Sequence, residues 1–241
     1  MAHLYIDESL PSEAVAGSIT VGGAEGRHAV TVARLAAGER VRVGNGRGLV
    51  AEGIVVAVSP GEFTLAVERA DVEARPEPAL VLAQALAKGD RDELAVQAST
   101  ELGVDAVIPW QAQRSVSRWE GAKLRKGVDR WRAITREAGK QAMRSWLPEV
   151  LEPMTTKQLA ALDGVRLLAL DPRGETPITA VQPDGRDLVL IVGPEGGIAP
   201  EEAERLAAAG AERVRLGPTV LRTSTAGPAA IAALSARLGR W

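Results

Sequence analysis

Beyond residue 80, apolar runs alternate with helical stretches, and this alternation restricts the fold more than any other feature of the chain. Strands are predicted in ALVLAQAL, DAVIPW, VRLLALD, DLVLIVG and ERVRLG. Helices are predicted in GDRDELAVQASTELGV, over about residues 120–143, in PEEAERLAAAG with Pro200 in its first turn, and from about Thr225 to Leu238. This order is typical of a mostly parallel sheet with helices on both faces.

Two of these helices carry more specific predictions. The first has Asp90 as its N-cap and an apolar stripe at Leu94, Ala98 and Leu102. The last contains Pro228, which lacks an N–H and fits only near a helix start. That helix is therefore predicted to begin no earlier than about Ser224 or Thr225.

Residues 1–72 show a different pattern of short alternating strands with glycine turns. Val41 and Val43 alternate with arginines, and after the turn at residues 44–46 the run resumes with Ile54, Val56 and Val58 on one face. EFTLAVERA alternates again, and AEGRHAVTVARLAAGE has the spacing of a short helix. These patterns predict a small β-barrel over 1–72, a Pro-rich linker over 73–79 and an α/β domain over 80–241.

Composition excludes several classes of site. The 241 residues include no cysteine, and the two histidines, His3 and His28, lie near the N-terminus. Disulfides, thiolate nucleophiles and His-rich metal sites are excluded, so we expect no metal. Neither a secretory signal nor an apolar run of about 20 residues is present. We expect a cytoplasmic protein without a membrane partner.

Positive charge is concentrated in one segment although the net charge is only −2. Residues 110–145 hold ten basic and three acidic side chains, a balance of +7 against −9 elsewhere. Trp110, Trp119, Trp131 and Trp146 lie in or beside the segment. Cationic and aromatic side chains together favour nucleic acid. The alternative is a solvated helix face with the tryptophans in the core.

Two glycine-containing loops each follow a strand and precede a helix. The first, GPEGG, occupies residues 193–197, and the second lies within VRLGPTVLRTSTAGPAA. Neither matches a dinucleotide-binding fingerprint or a P-loop. Two such loops at one sheet edge can enclose a ligand such as an adenine ring and a neutral sugar. Alternatively, Arg222 pairs with Glu195 and only pins the loops together.

Five stretches in this order resemble a known family: GRHAVTVARLAAGERVRVGNGRG, LAKGDRDELAVQASTELGVDAVIPW, RWRAITREAGKQAMRSWLPEV, LIVGPEGGIAPEE and LGPTVLRTSTA. They are similar to the motifs of the ribosomal RNA small subunit methyltransferase E family. The resemblance implies an N-terminal PUA-like barrel and a SPOUT-class domain with a C-terminal trefoil knot. It also implies S-adenosylmethionine as cofactor, a homodimer through the knotted domains, and methylation of N3 of one uridine in 16S rRNA.

The resemblance also implies site residues. The cofactor-binding candidates lie in or beside three loops after late strands: Leu170, Val192, Gly193, Gly196, Gly197, Leu216, Gly217, Val220, Leu221 and Thr223. The RNA-binding candidates are Arg34, Arg114, Arg118, Gln141 and Arg144.

The chain departs from the family pattern at four positions. Thr219 and Ser224 replace the first arginine and the glutamate of LGxRILRTETA. Lys140 and Ala142 replace the acidic residue before the glutamine and the serine of EQSxR. Carboxylates at 140 and 224 are therefore not essential here if the reaction is shared.

Two charged residues are the catalytic candidates. Arg222 is hypothesised to stabilise the uracil anion or to hold the adjacent phosphate. Glu195 is the candidate general base, with a hydrogen-bonding role in fixing the loop as the alternative. Two other functions remain open: ribose 2′-O methylation of RNA, and a non-catalytic RNA-binding factor for ribosome assembly.

Overall fold

A computed structural model describes residues 3–241 of the chain. These residues form two compact units. The first comprises the described residues up to Arg75 together with Gly139–Leu147, and the second comprises Pro76–Ala138 and Pro148–Trp241. No helix in the described part of the chain is long and apolar enough to cross a membrane.

The first unit is built on a five-stranded sheet. Its elements are β1 (Leu4–Ile6), β2 (Ser18–Val21), α1 (Gly23–Arg27), a π-helical turn (His28–Val32), β3 (Arg40–Gly44), β4 (Leu49–Ser59) and β5 (Glu62–Val72). The strand order is β1-β3-β4-β5-β2. No pairing between β1 and β2 closes the sheet within residues 3–241, so the predicted barrel is an open sheet here.

The buried face of β4 differs from the prediction. Val55 is buried, whereas Val56 is 55% exposed and Ile54 is only half-buried. The pairing of β4 with β5 shifts register between Glu52 and Gly53 and again between Val55 and Ala57. Because each irregularity changes which residues oppose each other, simple alternation along the sequence does not locate the buried face.

The segment Gly139–Leu147, which the sequence analysis places in the α/β domain, packs within the first unit. The backbone N–H of Leu147 donates to Gly46 O at 3.0 Å, and the Trp146 indole N–H donates to Glu73 O at 2.9 Å. Lys140 forms an ion pair with Glu25 at 2.9 Å. The lysine that replaces the family's acidic residue therefore has a carboxylate partner in its own unit.

The second unit contains the predicted parallel sheet. Its elements are β6 (Leu80–Ala85), α2 (Arg91–Glu101), β7 (Ala106–Gln111), α3 (Ala122–Gln141), β8 (Glu149–Val150), β9 (Met154–Thr155), α4 (Thr156–Leu159), β10 (Val165–Leu170), β11 (Thr176–Pro177), a 3-10 turn (Ile178–Ala180), β12 (Asp187–Val192), α5 (Pro200–Ala208), β13 (Glu212–Arg215) and α6 (Thr223–Arg237). The last three residues of α3 belong to the first unit. The strand order is β11-β13-β10-β12-β6-β7-β8, with β9 also paired to β7.

Both faces of this sheet are buried, as predicted. Leu190 of β12 packs in a cluster with Ile231 of α6, and the adjacent Ile191 packs in a second cluster with Leu206 of α5. Successive strand residues point to opposite faces, so each strand contributes to both clusters. The mixed α/β class with a parallel sheet is confirmed.

Two helix predictions need correction. Leu94 is 48% exposed, and the buried face of α2 carries Ala95, Val96 and Ser99 instead. Asp90 is the N-cap residue, but its side chain makes no capping hydrogen bond. The cap-like contact comes from Asp92, whose carboxylate accepts from the Ala87 N–H at 3.2 Å.

The last helix begins at Thr223, slightly before the predicted start, and Pro228 lies inside it. The Arg222 carbonyl accepts from the N–H groups of Thr225 and Ala226 at 2.8 and 2.9 Å. Tertiary hydrogen bonds to Thr223, described below, hold this first turn in place.

Candidate functional site

Three loops meet at one edge of the parallel sheet. Strands β13, β10 and β12 are neighbours in the sheet order and run parallel, so their carboxyl ends lie together. The loops that follow them line a cavity of about 680 Å³. The edge beyond the carboxyl ends of parallel strands is where open α/β proteins bind ligands.

All ten predicted cofactor-binding residues lie on the wall of this cavity, together with Glu195, Arg222 and Arg114. Apolar side chains such as Val192, Leu216 and Leu221 alternate there with glycine backbone. A wall that combines apolar surface, backbone donors and acceptors, and charged side chains suits a ligand that has both an aromatic ring and charged groups.

Glycine is required at two positions of the first loop. Gly197 has a φ of +70°, which disfavours other residues, and its N–H donates to Pro194 O at 2.8 Å. At Gly193, a Cβ atom would stand 2.9 Å from Cγ1 of Ile198 and 3.1 Å from its backbone nitrogen. The sharp bend therefore depends on the absence of side chains at both positions.

A buried hydrogen-bond chain joins the two motif loops. The Thr223 hydroxyl donates to Gly193 O at 2.9 Å and accepts from the Gln84 amide at 2.8 Å. Gln84 lies on β6 and is fully buried, so this network connects three separate parts of the chain. Thr223 therefore holds the first turn of α6 against the end of β12.

Glu195 is paired with a residue that the sequence analysis did not consider. Its Oε1 accepts from the Lys88 N–H at 3.1 Å and from the Arg91 guanidinium at 3.0 Å. Partial burial alone would raise the pKa of Glu195, but these hydrogen bonds and the Arg91 charge hold it below its usual value. The alternative pairing of Glu195 with Arg222 is absent from residues 3–241.

Five arginines line the cavity, and four of them are already bound. Arg91 pairs with Glu195 and Arg173 pairs with Asp171, while Arg114 and Arg215 donate to backbone carbonyls. Arg222 is exposed, and within residues 3–241 its guanidinium makes no hydrogen bond or ion pair. Arg114 and Arg215 keep their charge, but Arg222 is the cavity arginine whose guanidinium has no partner in the described residues, so all of its donors are available to a ligand.

Asp171 follows β10 and closes one side of the cavity. Its carboxylate is bound by Arg173 at 3.2 Å and by Arg213 at 2.8 Å. Burial opposes ionisation, but the hydrogen bonds from both arginines lower the pKa of Asp171. The cluster fixes the loop after β10 to β13.

The predicted RNA-binding residues are distributed over both units. Arg34, Gln141 and Arg144 belong to the first unit, where Arg34 has a φ of +57°. Arg114 and Arg118 belong to the second. Arg114 lines the cavity and donates to Gly196 O at 2.9 Å, while Arg118 donates to Gln113 O at 3.1 Å.

The tryptophans of the basic segment also divide. Trp110 and Trp131 are fully buried, which agrees with the core alternative for these two. Trp119 and Trp146 are half-buried.

Comparisons with known proteins agree with this arrangement. The model of a family described as an RNA methyltransferase domain matches residues 75–235, and that of an RNA methyltransferase PUA domain matches residues 21–68. The ribosomal RNA small subunit methyltransferase E of Mycobacterium bovis (strain ATCC BAA-935 / AF2122/97) is 39% identical over 248 residues, covering 100% of this chain and 94% of that protein. The chain belongs to the ribosomal RNA small subunit methyltransferase E family.

Two solved structures share the fold over almost their whole length. A family member from Neisseria gonorrhoeae, bound to S-adenosyl methionine, has a TM-score of 0.86 at 24% identity and covers 98% of both chains. A methyltransferase from Legionella pneumophila, in complex with the bound cofactor SAM, has a TM-score of 0.84 at 29% identity and covers 98% of both chains. The first unit is accordingly PUA-like, as the resemblance implies.

Sequence reasoning missed Gln84, Arg91 and Asp171 at this site. Gln84 is a polar residue in an otherwise apolar strand, which is a signal that was available. Arg91 and Asp171 carry no such signal, because ion pairs between distant loops become visible only when the strands are ordered in the sheet.

Proposed function

We propose that this chain transfers the methyl group of S-adenosylmethionine to N3 of a uridine in 16S rRNA of the small ribosomal subunit. Family membership supports the reaction class, and the two structural relatives carry this cofactor. The observation that carries the proposal is the cavity itself, where glycine backbone and apolar side chains meet Arg222, whose guanidinium has no partner in the described residues.

The cavity has the size and lining that S-adenosylmethionine requires. Leu170, Val192 and Leu216 offer apolar contacts for an adenine ring, and the loop backbone offers hydrogen bonds to the ring and the ribose. Bound there, the cofactor supplies an electrophilic methyl group attached to a sulfonium. The protein aligns the acceptor and stabilises the negative charge that develops on the uracil imide.

Arg222 is the proposed group that contacts the acceptor. A uracil base that loses its N3 proton places negative charge on O2 and O4, and a guanidinium can donate to either oxygen or to a neighbouring phosphate. Its freedom from other partners in the described residues leaves all of its donors for this role.

Glu195 remains the proposed acceptor of the imide proton. Its Oε1 is occupied by Lys88 N–H and Arg91, which fixes the carboxylate at the cavity. In the described residues, no neighbouring side chain donates a hydrogen bond to its Oε2. The lowered pKa keeps the carboxylate ionised at neutral pH but makes it a weak base, so this role also depends on Arg222 stabilising the uracil anion.

We further propose the finer features that the family resemblance implies. These are a trefoil knot of the SPOUT class in the second unit, barrel-like curvature of the first unit, a homodimer through the knotted domains, and a cytoplasmic location. Val220, 77% exposed, is a candidate for the dimer contact.

The direct test uses small subunits from a strain that lacks its own enzyme of this family. Incubation with the purified protein and isotope-labelled S-adenosylmethionine is expected to add one methyl group to N3 of one uridine, located by mass mapping of 16S rRNA. A methyl group on a ribose would replace this proposal with 2′-O methylation. An absence of both transfer and calorimetric binding of the cofactor would favour a non-catalytic assembly factor.

Replacement of Arg222 tests the proposed division of roles. Arg222→Ala is expected to lower the methylation rate about 100-fold or more, by analogy with loss of a donor to a developing anion. Its affinity for S-adenosylmethionine should stay within about threefold, because the apolar and backbone contacts proposed for the cofactor do not involve this side chain. Arg205→Ala, an exposed arginine on α5, is the control. Equal losses of rate and cofactor affinity would contradict the division.

A further inference from the structure

A second cavity, of about 550 Å³, lies beside the first in the second unit. Two stretches of the chain contribute to both cavities. Gly89, in the loop before α2, lines the second cavity, and Arg91, the first residue of α2, lines the first. In the loop after β7, Arg114 lines the first cavity and Arg118 the second. A chain-like ligand with one unit in the first cavity can therefore reach the second.

The second cavity has an excess of available positive charge. Of its two acidic residues, Glu93 is paired with Arg130 at 2.9 Å. Asp92 is 5% exposed and accepts hydrogen bonds from backbone N–H groups. Lys123 and Lys126 are exposed, and their ammonium groups have no partner within residues 3–241. The site suits a ligand with phosphate groups.

An aromatic ring lines the same cavity. Trp119 lies across the backbone of α3, where a Cβ atom on Gly127 would stand 2.4 to 2.6 Å from three consecutive ring atoms. Its ring meets that of Trp131 edge-on, with the centroids 5.4 Å apart and the planes at 76°. Trp119 is thus rigidly seated but still half-buried rather than enclosed, as in surfaces on which unstacked bases stack.

A buried donor without a partner also belongs to this wall. Trp131 is fully buried, and its Nε1–H donates to no acceptor in the described part of the chain. Such a group is costly unless something satisfies it. The N–H is enclosed by the protein, so Trp131 serves this wall by supporting the Trp119 ring and not as a donor to a ligand.

We infer that this second cavity is a subsite for a nucleotide of single-stranded RNA next to the one that is methylated. Trp119 stacks on the base, and Lys123 and Lys126 bind its phosphates. The inference rests on the proposed function for the identity of the ligand as RNA. The inference names the place where the basic segment, residues 110–145, contacts that RNA.

The test measures binding of single-stranded oligouridylate and of 16S rRNA to the full chain, without cofactor. The double variant Lys123→Ala/Lys126→Ala is expected to bind more weakly, and its plot of log affinity against log salt should be shallower by about 1.4, from roughly 0.7 per phosphate contact. Trp119→Ala is expected to weaken binding by about 5- to 100-fold, whereas Trp119→Phe retains most of the affinity. Lys157→Ala, on α4, is the control.

Each outcome distinguishes the subsite from the proposed reaction. Unchanged RNA affinity and salt dependence in the double variant, whose side chains are exposed and do not support the core, would overturn the subsite even if methylation is normal. If the wild-type protein transfers no methyl group but the variants still bind RNA more weakly than the wild type, the subsite is supported and the proposed reaction is overturned. Trp119→Ala is interpreted only if its thermal unfolding and S-adenosylmethionine affinity match the wild type.

Discussion

At the scale of single residues, the site depends on which charges are already paired. Arg91 and Glu195 neutralise each other, and Asp171 is held by two arginines. Arg222 alone among the cavity arginines is left for a ligand in the described residues. Charge count in the two motif loops could not show this, because the partners come from other loops.

Glu195→Gln gives a prediction about pH. The lowered pKa means that the carboxylate is present above the usual value of 4.5 and is lost only as pH falls through a still lower value. The wild-type single-turnover rate is therefore expected to show no acid limb from this group between about pH 5 and 8. Glu195→Gln, which keeps an acceptor for Arg91, should lower the rate by about 100-fold or more across that range and change cofactor affinity little. An unchanged rate would leave Glu195 only its role in fixing the loop.

At the scale of elements, the cavity is a product of strand order. The loops after β10, β12 and β13 are separated along the chain but adjacent in space, because β13 pairs with β10 and β10 pairs with β12. The Gln84–Thr223–Gly193 hydrogen bonds then fix the start of α6 relative to the first motif loop. Each loop is shaped locally, but the site exists only when all three are aligned.

Gly193→Ala tests how tightly the first loop is built. The added methyl group would press on Ile198, including its backbone, so the loop must shift. S-adenosylmethionine affinity is expected to fall by about 5- to 150-fold, corresponding to about 1–3 kcal/mol, as measured by calorimetry. The control is Ala208→Gly on α5. Gly210→Ala would not serve, because the φ of +84° at Gly210 disfavours alanine. Wild-type affinity in Gly193→Ala would show that the bend does not shape the cofactor site.

At the scale of the whole molecule, the two units do not follow the order of the sequence. The boundary near residue 75 lies within the predicted linker, but residues 139–147 pack with the first unit. No local pattern in this segment signals its partner. Three of its hydrogen bonds join backbone groups of Gly46, Gly48 and Glu73, which are about 70 to 100 residues away along the chain.

Leu147→Ala should reveal this dependence. The half-buried leucine contacts the first unit around Gly46, and its truncation is expected to lower that unit's free energy of unfolding by about 1–2 kcal/mol. Hydrogen exchange should show faster opening in β3 and β4, with cofactor binding in the second unit unchanged. The control is Leu94→Ala, because Leu94 is 48% exposed on α2. If the amides of β3 and β4 exchange equally slowly in Leu147→Ala and Leu94→Ala, the segment has no structural role in the first unit.

The sequence by itself determined the element types, the parallel α/β class, the family and the two motif loops, because periodicity, glycine bends and ordered motifs are local properties. Only the tertiary structure decided the buried face of β4, the start of α6, the partner of Glu195 and the freedom of Arg222. Those features depend on bulges, on hydrogen bonds to a buried glutamine and on ion pairs between loops far apart in sequence. Which charge is neutralised is a property of neighbours in space, and the order of residues along the chain does not specify it.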